Sequence, residues 1–207
     1  MLFTLLAGCV LLSAVGYLSV IWKKHRGLKY LLKPLTMVFI ILIALFHAQD
    51  AFGLWILIGL LFSVLGDIFL MLPKDRFIQG LISFFFAHVS YILAFLTMGA
   101  HQELSLPSTI LLIALAIGFF LLIASGVRRS SGRVMLVAVF FYITVITTMT
   151  LLGLATGSPV LMAAVLFFYI SDAILALNRF LYSFASSDYL IMITYYSAQF
   201  LFAYSLV

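Results

Sequence analysis

The strongest constraint on this chain is the length of its apolar runs, which occupy residues 2–22, 32–48, 52–72, 77–98, 107–125, 133–154, 158–178 and 189–206. Each approaches the roughly 20 residues that an α-helix needs to cross a hydrocarbon layer about 30 Å thick. The runs are continuous and lack the alternation of a membrane-spanning strand. An all-α polytopic membrane protein of about eight transmembrane helices is therefore expected. A water-soluble fold is excluded, because only 8% of the 207 residues are charged where a soluble domain carries about 25%. No connection is long enough to hold a second folded unit, so residues 1–207 are read as one transmembrane domain. The first run has no Lys or Arg before it and no small-residue cleavage site after it, and Lys23, Lys24 and Arg26 follow directly. It is expected to be a first span and not a removed signal peptide.

The net charge of +5 and pI near 9.4 reflect where the basic residues fall. All 11 lie around four alternate connections, at Lys23–Lys33, Lys74–Arg76, Arg128–Arg133 and Arg179. The excess of positive charge on cytoplasmic loops then puts the odd-numbered loops in the cytoplasm and both termini outside, with no role in nucleic-acid binding. Pro34, Pro73, Pro107 and Pro159 punctuate the runs, Pro34 and Lys33 being expected at the start of the second helix. Cys9 is alone in an apolar run and reads as a small packing residue. The pattern Leu61-Phe62, Gly66-Asp67, Leu70 recurs as Leu166-Phe167, Ser171-Asp172, Leu175, an offset of 105 residues compatible with a parallel four-plus-four duplication.

Acids within membrane helices cost about 2.5–3.5 kcal/mol near the helix centre and need a reason. Asp67 and Asp172 are two such acids, expected at matched depth, ~7–9 Å inside the basic boundary by helix rise. Ser63 lies one turn before Asp67. Arg179 lies two turns after Asp172 on the same face, the expected counter-ion that keeps it ionised and leaves Asp67 as the acid. His88 and Tyr91 share the fourth run, and Tyr195, Tyr196 and Gln199 the last. Only His88 of the four histidines is expected deep in the membrane, and no His-x-x-x-His or cysteine pair supplies the three protein ligands of a catalytic zinc; no phosphate-cradling loop is present, so neither metal nor cofactor is expected. A Ser–His–Asp set drawn from Ser63 or Ser171 with His88 lacks both depth match and a nucleophile-elbow sequence. Paired carboxylates suit hydrolysis through an oxocarbenium-like state, as for acetals and enol ethers. They suit a proton-coupled small-molecule or lipid transporter equally well, and the residues alone leave both open.

Five ordered segments carry a further signal. They are Lys33-Pro34-Leu35-Thr36-Met37; Gly59-Leu60-Leu61-Phe62-Ser63 running to Gly66-Asp67-Ile68-Phe69-Leu70-Met71; Phe77 and Gly80 leading to His88 and Tyr91; Phe167 to Ser171-Asp172 with Asn178-Arg179-Phe180; and Tyr195-Tyr196 with Gln199. In this order and spacing the chain resembles the YhhN-type lysoplasmalogenase family. The resemblance implies an eight-helix enzyme of a bacterial inner membrane that hydrolyses the vinyl ether of a lysophospholipid, the lysoplasmalogen. The products are a fatty aldehyde and glycerophosphoethanolamine or glycerophosphocholine. It further implies Asp67 and Asp172 as the catalytic acid and base, with the assignment open to reversal. Lys33 and Arg179 would hold the phosphate, and Ser63, His88, Tyr91, Asn178, Tyr195, Tyr196 and Gln199 would bind or orient.

Overall fold

The structure is a computed structural model that describes residues 1–22, 26–99 and 104–207, the side chain of Arg26 excepted. Among these residues there are seven helices: α1 (Leu2–Trp22), α2 (Arg26–His47), α3 (Ala51–Met71), α4 (Phe77–Thr97), α5 (Leu106–Ala155), α6 (Pro159–Phe180) and α7 (Ser187–Tyr204). Helices are the natural solution here, because a backbone in hydrocarbon must satisfy its own hydrogen bonds. The starts of α3, α5 and α6 are set by polar caps. Asp50 accepts from the Gly53 amide at 2.7 Å, and Ser105 and Ser158 cap α5 and α6. Pro107 and Pro159 occupy first-turn positions that need no donor. α2 begins earlier than the apolar run suggests, so Lys33 and Pro34 lie inside the helix and not at its start.

α5 holds both of the spans expected at 107–125 and 133–154, joined not by a loop but by helix up to Gly132. Its 50 residues would extend ~75 Å if straight, far more than a bilayer. Gly132, with φ 80° and ψ −173°, breaks it in a backbone region that is essentially reserved for glycine. The Phe120 and Phe140 rings, which a straight helix would hold ~30 Å apart, have centroids 5.6 Å apart. The two halves of α5 therefore fold back on each other with a single residue as the hinge. An apolar cluster of Phe77, Ile123, Val127, Met135, Val139 and Phe180 fills this end of the bundle.

Successive helices pack side by side from α2 to α7, and α7 closes the ring against α2, with α1 lying across α2 and α7. The main core is buried within that ring, around Met37, Ile40, Leu60, Tyr91, Phe168 and Phe202. Large apolar side chains such as Leu12, Leu121 and Phe141 face outward, as expected where the surroundings are lipid. Six of the described helices are long and apolar enough to cross a membrane. α7 is not among them, because it spends several positions on Tyr195, Tyr196 and Gln199. These are buried, so the polar face of α7 is turned into the bundle and not toward lipid.

Candidate functional site

The ring brings Asp67 of α3 and Asp172 of α6 to the wall of one cavity of about 200 Å³, which Tyr17, Lys33, Asp188 and Tyr195 also line. The two acids sit four and eight residues from the ends of their helices, or ~6 and ~12 Å by helix rise. The matched depth expected from sequence does not hold at the level of helix register. The shared cavity is what unites them.

Each acid has a different partner. The Lys33 ammonium lies 2.8 Å from Asp67 Oδ1, both side chains being more than nine-tenths buried. A buried pair of this kind is viable only because each charge cancels the other. Asp67 Oδ2 and the Tyr195 hydroxyl, by contrast, are buried without a protein hydrogen-bond partner among the described residues. Asp172 Oδ2 accepts from the Tyr142 hydroxyl at 2.5 Å and lies 3.1 Å from His88 Nε2. Tyr142 and His88 are themselves 3.0 Å apart, so three polar atoms close a triangle. The far side of the imidazole, Nδ1, is 3.3 Å from Met149 Sδ, and the ring rests edge-on against Phe168 with centroids 4.6 Å apart. The histidine is thus fixed by packing on one side and by Asp172 on the other.

Several residues expected at the site lie elsewhere. Arg179 donates to Asp75 and sits over the Phe77 ring, 4.9 Å from its centroid. It is no counter-ion for Asp172 and does not line the cavity. That pairing, with the Phe77 amide, holds the Asp75 carboxyl below the usual carboxylate range. Asn178 does not line the cavity, and its side-chain oxygen is buried without a partner among the described residues. Ser63, Tyr91 and Gln199 form their own buried chain: Tyr91 donates to Gln199 at 2.7 Å and Gln199 donates to Ser63 at 3.1 Å. It ties α4, α7 and α3 together beneath the acids. The Tyr196 hydroxyl donates to the Lys33 carbonyl at 3.4 Å. Ser171 lines the cavity while its hydroxyl donates to the Ile191 carbonyl.

Sequence reasoning missed Tyr142, Tyr17 and Asp188. A tyrosine in an apolar run is ordinarily a packing residue, and nothing local to Tyr142 reveals that its partners lie 54 and 30 residues away. Asp188 had the weak signal of an acid in the first turn of a helix. It stands 3.9 Å from Lys29 at the edge of a second recess lined by Tyr17, Lys29, Tyr30, Met71 and Pro73. On the opposite side, Asp172, Leu70, Phe84 and Leu175 are shared with an apolar slot reaching Phe77 and Tyr142. Asp172 therefore stands between a polar opening and an apolar slot, while Asp67 lines the polar side alone.

Among known proteins, the YhhN family model matches residues 28–206. A human protein named lysoplasmalogenase TMEM86A is 34% identical over 73% of this chain and 65% of its own length. Human lysoplasmalogenase TMEM86B is 34% identical over 71% of this chain and 61% of its own. The uncharacterized membrane protein YhhN of Escherichia coli O6:H1 is 29% identical over 64% and 62%. The chain thus spans a little under two thirds of the curated relatives it matches, and no solved structure matches it. All-helical among the described residues, rich in helices long and apolar enough to cross a membrane, and matched over residues 28–206 by one family model, the chain belongs to the YhhN family.

Proposed function

We propose that this protein is a lysoplasmalogenase, hydrolysing the vinyl ether of a lysophospholipid within the membrane. The observation that carries the reading is one cavity with two carboxylates in unlike company, Asp67 beside an ammonium and Asp172 beside a tyrosine and a histidine. Two relatives that carry the name lysoplasmalogenase support it. The surroundings fit the substrate, with a polar opening for a headgroup and an apolar slot for a chain meeting at Asp172.

The roles follow from the donors and acceptors. A thioether has no hydrogen to give, so His88 Nδ1 carries one toward Met149 and the neutral ring offers Nε2 as an acceptor. With the Tyr142 proton alone in the triangle, the Nε2 lone pair would face a carboxylate at 3.1 Å, a repulsive arrangement. One further proton between Asp172 and His88 relieves it, and that proton is the catalytic acid. Asp67, paired with Lys33, is the standing carboxylate. Asp67 Oδ2 and the Tyr195 hydroxyl, both without a protein partner among the described residues, are the groups that would hold the attacking water. This reverses the roles that a counter-ion at Arg179 implied.

In the reaction, Asp172 gives its proton to the vinyl carbon remote from oxygen, and the double-bond electrons form that C–H bond. The adjacent carbon and ether oxygen share the resulting cationic charge. Water adds to that carbon as Asp67 takes its proton, giving a hemiacetal. The hemiacetal hydroxyl then returns a proton to Asp172 while Asp67 protonates the departing ether oxygen, and the C–O bond breaks to aldehyde and alcohol. One water is consumed and both acids end as they began. The test is aldehyde release by the purified protein from a vinyl-ether lysolipid, beside a saturated alkyl-ether lysolipid that has no carbon to protonate. Aldehyde from the first alone is expected, with Asp67→Asn and Asp172→Asn each slowed by at least about 10². Equal turnover of an ester lysolipid, full activity in both variants, or proton-linked uptake into vesicles without a product would overturn it.

A further inference from the structure

Beside the slot, an open groove runs along α5, with Ile113, Ile117 and Phe140 on its rim exposed. Ile143 lines both the slot beside Asp172 and this groove, of about 340 Å³, between the two halves of α5. The groove is walled by Ala116, Ile117 and Phe120 on one half and by Ile143, Thr147 and Leu151 on the other. The slot, about 50 Å³, is much the smaller of the two. Thr144 and Thr148 also border the groove, but their hydroxyls are bonded to carbonyls of their own helix at 2.9 Å, so they add little polarity. From Ile143 to Leu151 the wall advances ~12 Å along the helix, away from the Gly132 hinge and the basic residues around it.

We propose that the hydrocarbon chain of the substrate passes Asp172 through this slot and lies in the groove within the α5 hairpin, so that α5 sets the chain-length preference. This rests on the lysolipid reading above and deepens it. A single aliphatic chain is the occupant the path favours. The groove adjoins the slot beside the reacting acid at Ile143, its walls are mostly apolar although the Thr147 hydroxyl is buried there without a partner among the described residues, and it runs away from the end where Lys29 and Asp188 meet the polar opening. The α5 hinge has a purpose in this picture: two halves meeting at a single glycine leave a seam between them that one continuous helix would not have.

Two measurements test it. Ile143→Trp, at the junction, and Ala116→Phe, deeper in the groove, are compared with wild type on vinyl-ether lysolipids of short and long chain. Leu121→Trp, on the lipid-facing surface, serves as the control. The expected result is a fall in kcat/KM of at least about tenfold for long chains with short chains retained, and no change with the control. A loss that is uniform across chain lengths, or no loss at all, would overturn the assignment. Independently, an alkyl-ether lysolipid with a photoreactive group at its chain end is crosslinked to the wild-type protein and the adducts are mapped. Adducts on groove residues within 113–151 support the path; adducts confined to other helices contradict it. That probe is not hydrolysed, so its outcome stands apart from whether the protein cleaves vinyl ethers.

Discussion

Lys33 and Asp67 depend on each other for charge compensation. Each is buried, and removing one leaves an uncompensated charge inside the bundle. Lys33→Met should lower stability in detergent by about 3–5 kcal/mol, read from thermal unfolding. Adding Asp67→Leu to it should recover much of that stability while leaving the protein inactive; a double variant as unstable as the single one would remove the ion pair from the explanation. Arg179 is the opposite case, an exposed side chain paired with an exposed acid, where little energy is at stake. Arg179→Ala should therefore keep its turnover, whereas a phosphate ligand would lose substrate affinity. Because Arg179 holds the Asp75 carboxyl below its usual range, the pair's small contribution is present at neutral pH. It fades as pH falls below about 4, so wild type and variant should converge there. The two acids were legible in the sequence because charge is scarce in these runs. Their partners were not: in the sequence Lys33 and Arg179 both read as basic residues near helix ends, and only the packing of α2 against α3 separates the buried one from the exposed one.

At the level of helices, small residues determine how closely the elements approach. Gly126 in α5 lies so near the end of α6 that an added methyl would fall 2.1 Å from the Phe180 carbonyl oxygen, a backbone atom that cannot rotate away. Gly126→Ala should cost about 1–3 kcal/mol by overpacking. Gly118→Ala, where nothing lies within 4 Å, should be neutral or stabilising through helix propensity. Unfolding midpoints of the two variants distinguish them, and an equal cost at both sites would argue against close packing of α5 on α6. Helix positions were readable from apolar runs to within a few residues for most elements. The start of α2 was not, because Lys29 and Lys33 interrupt the run; in the fold Lys33 has a buried carboxylate to neutralise it. The nature of the 126–132 connection was hidden for a related reason: Arg128, Arg129 and Ser130 look like a loop, yet they continue the helix until Gly132 turns it.

For the molecule as a whole, function rests on closure of the ring. Asp67 and Asp172 are 105 residues apart, yet they reach one cavity because α3 through α7 pack in succession and α7 returns to α2. That closure turns the polar face of α7 inward and leaves apolar side chains to the lipid. The sequence carried the number of apolar runs and the identity of the two acids. It did not carry which helices are neighbours, and so concealed the Tyr142–His88–Asp172 triangle, whose members come from three helices. The proposed chemistry makes that triangle the source of a proton delivered to carbon, and turnover of a vinyl-ether lysolipid in D₂O reads this step directly. Wild type should yield aldehyde carrying one deuterium on the carbon next to the carbonyl, and Asp172→Asn should form it at least about 10² more slowly. Aldehyde free of deuterium, or an Asp172→Asn variant as fast as wild type, would contradict proton delivery from this site.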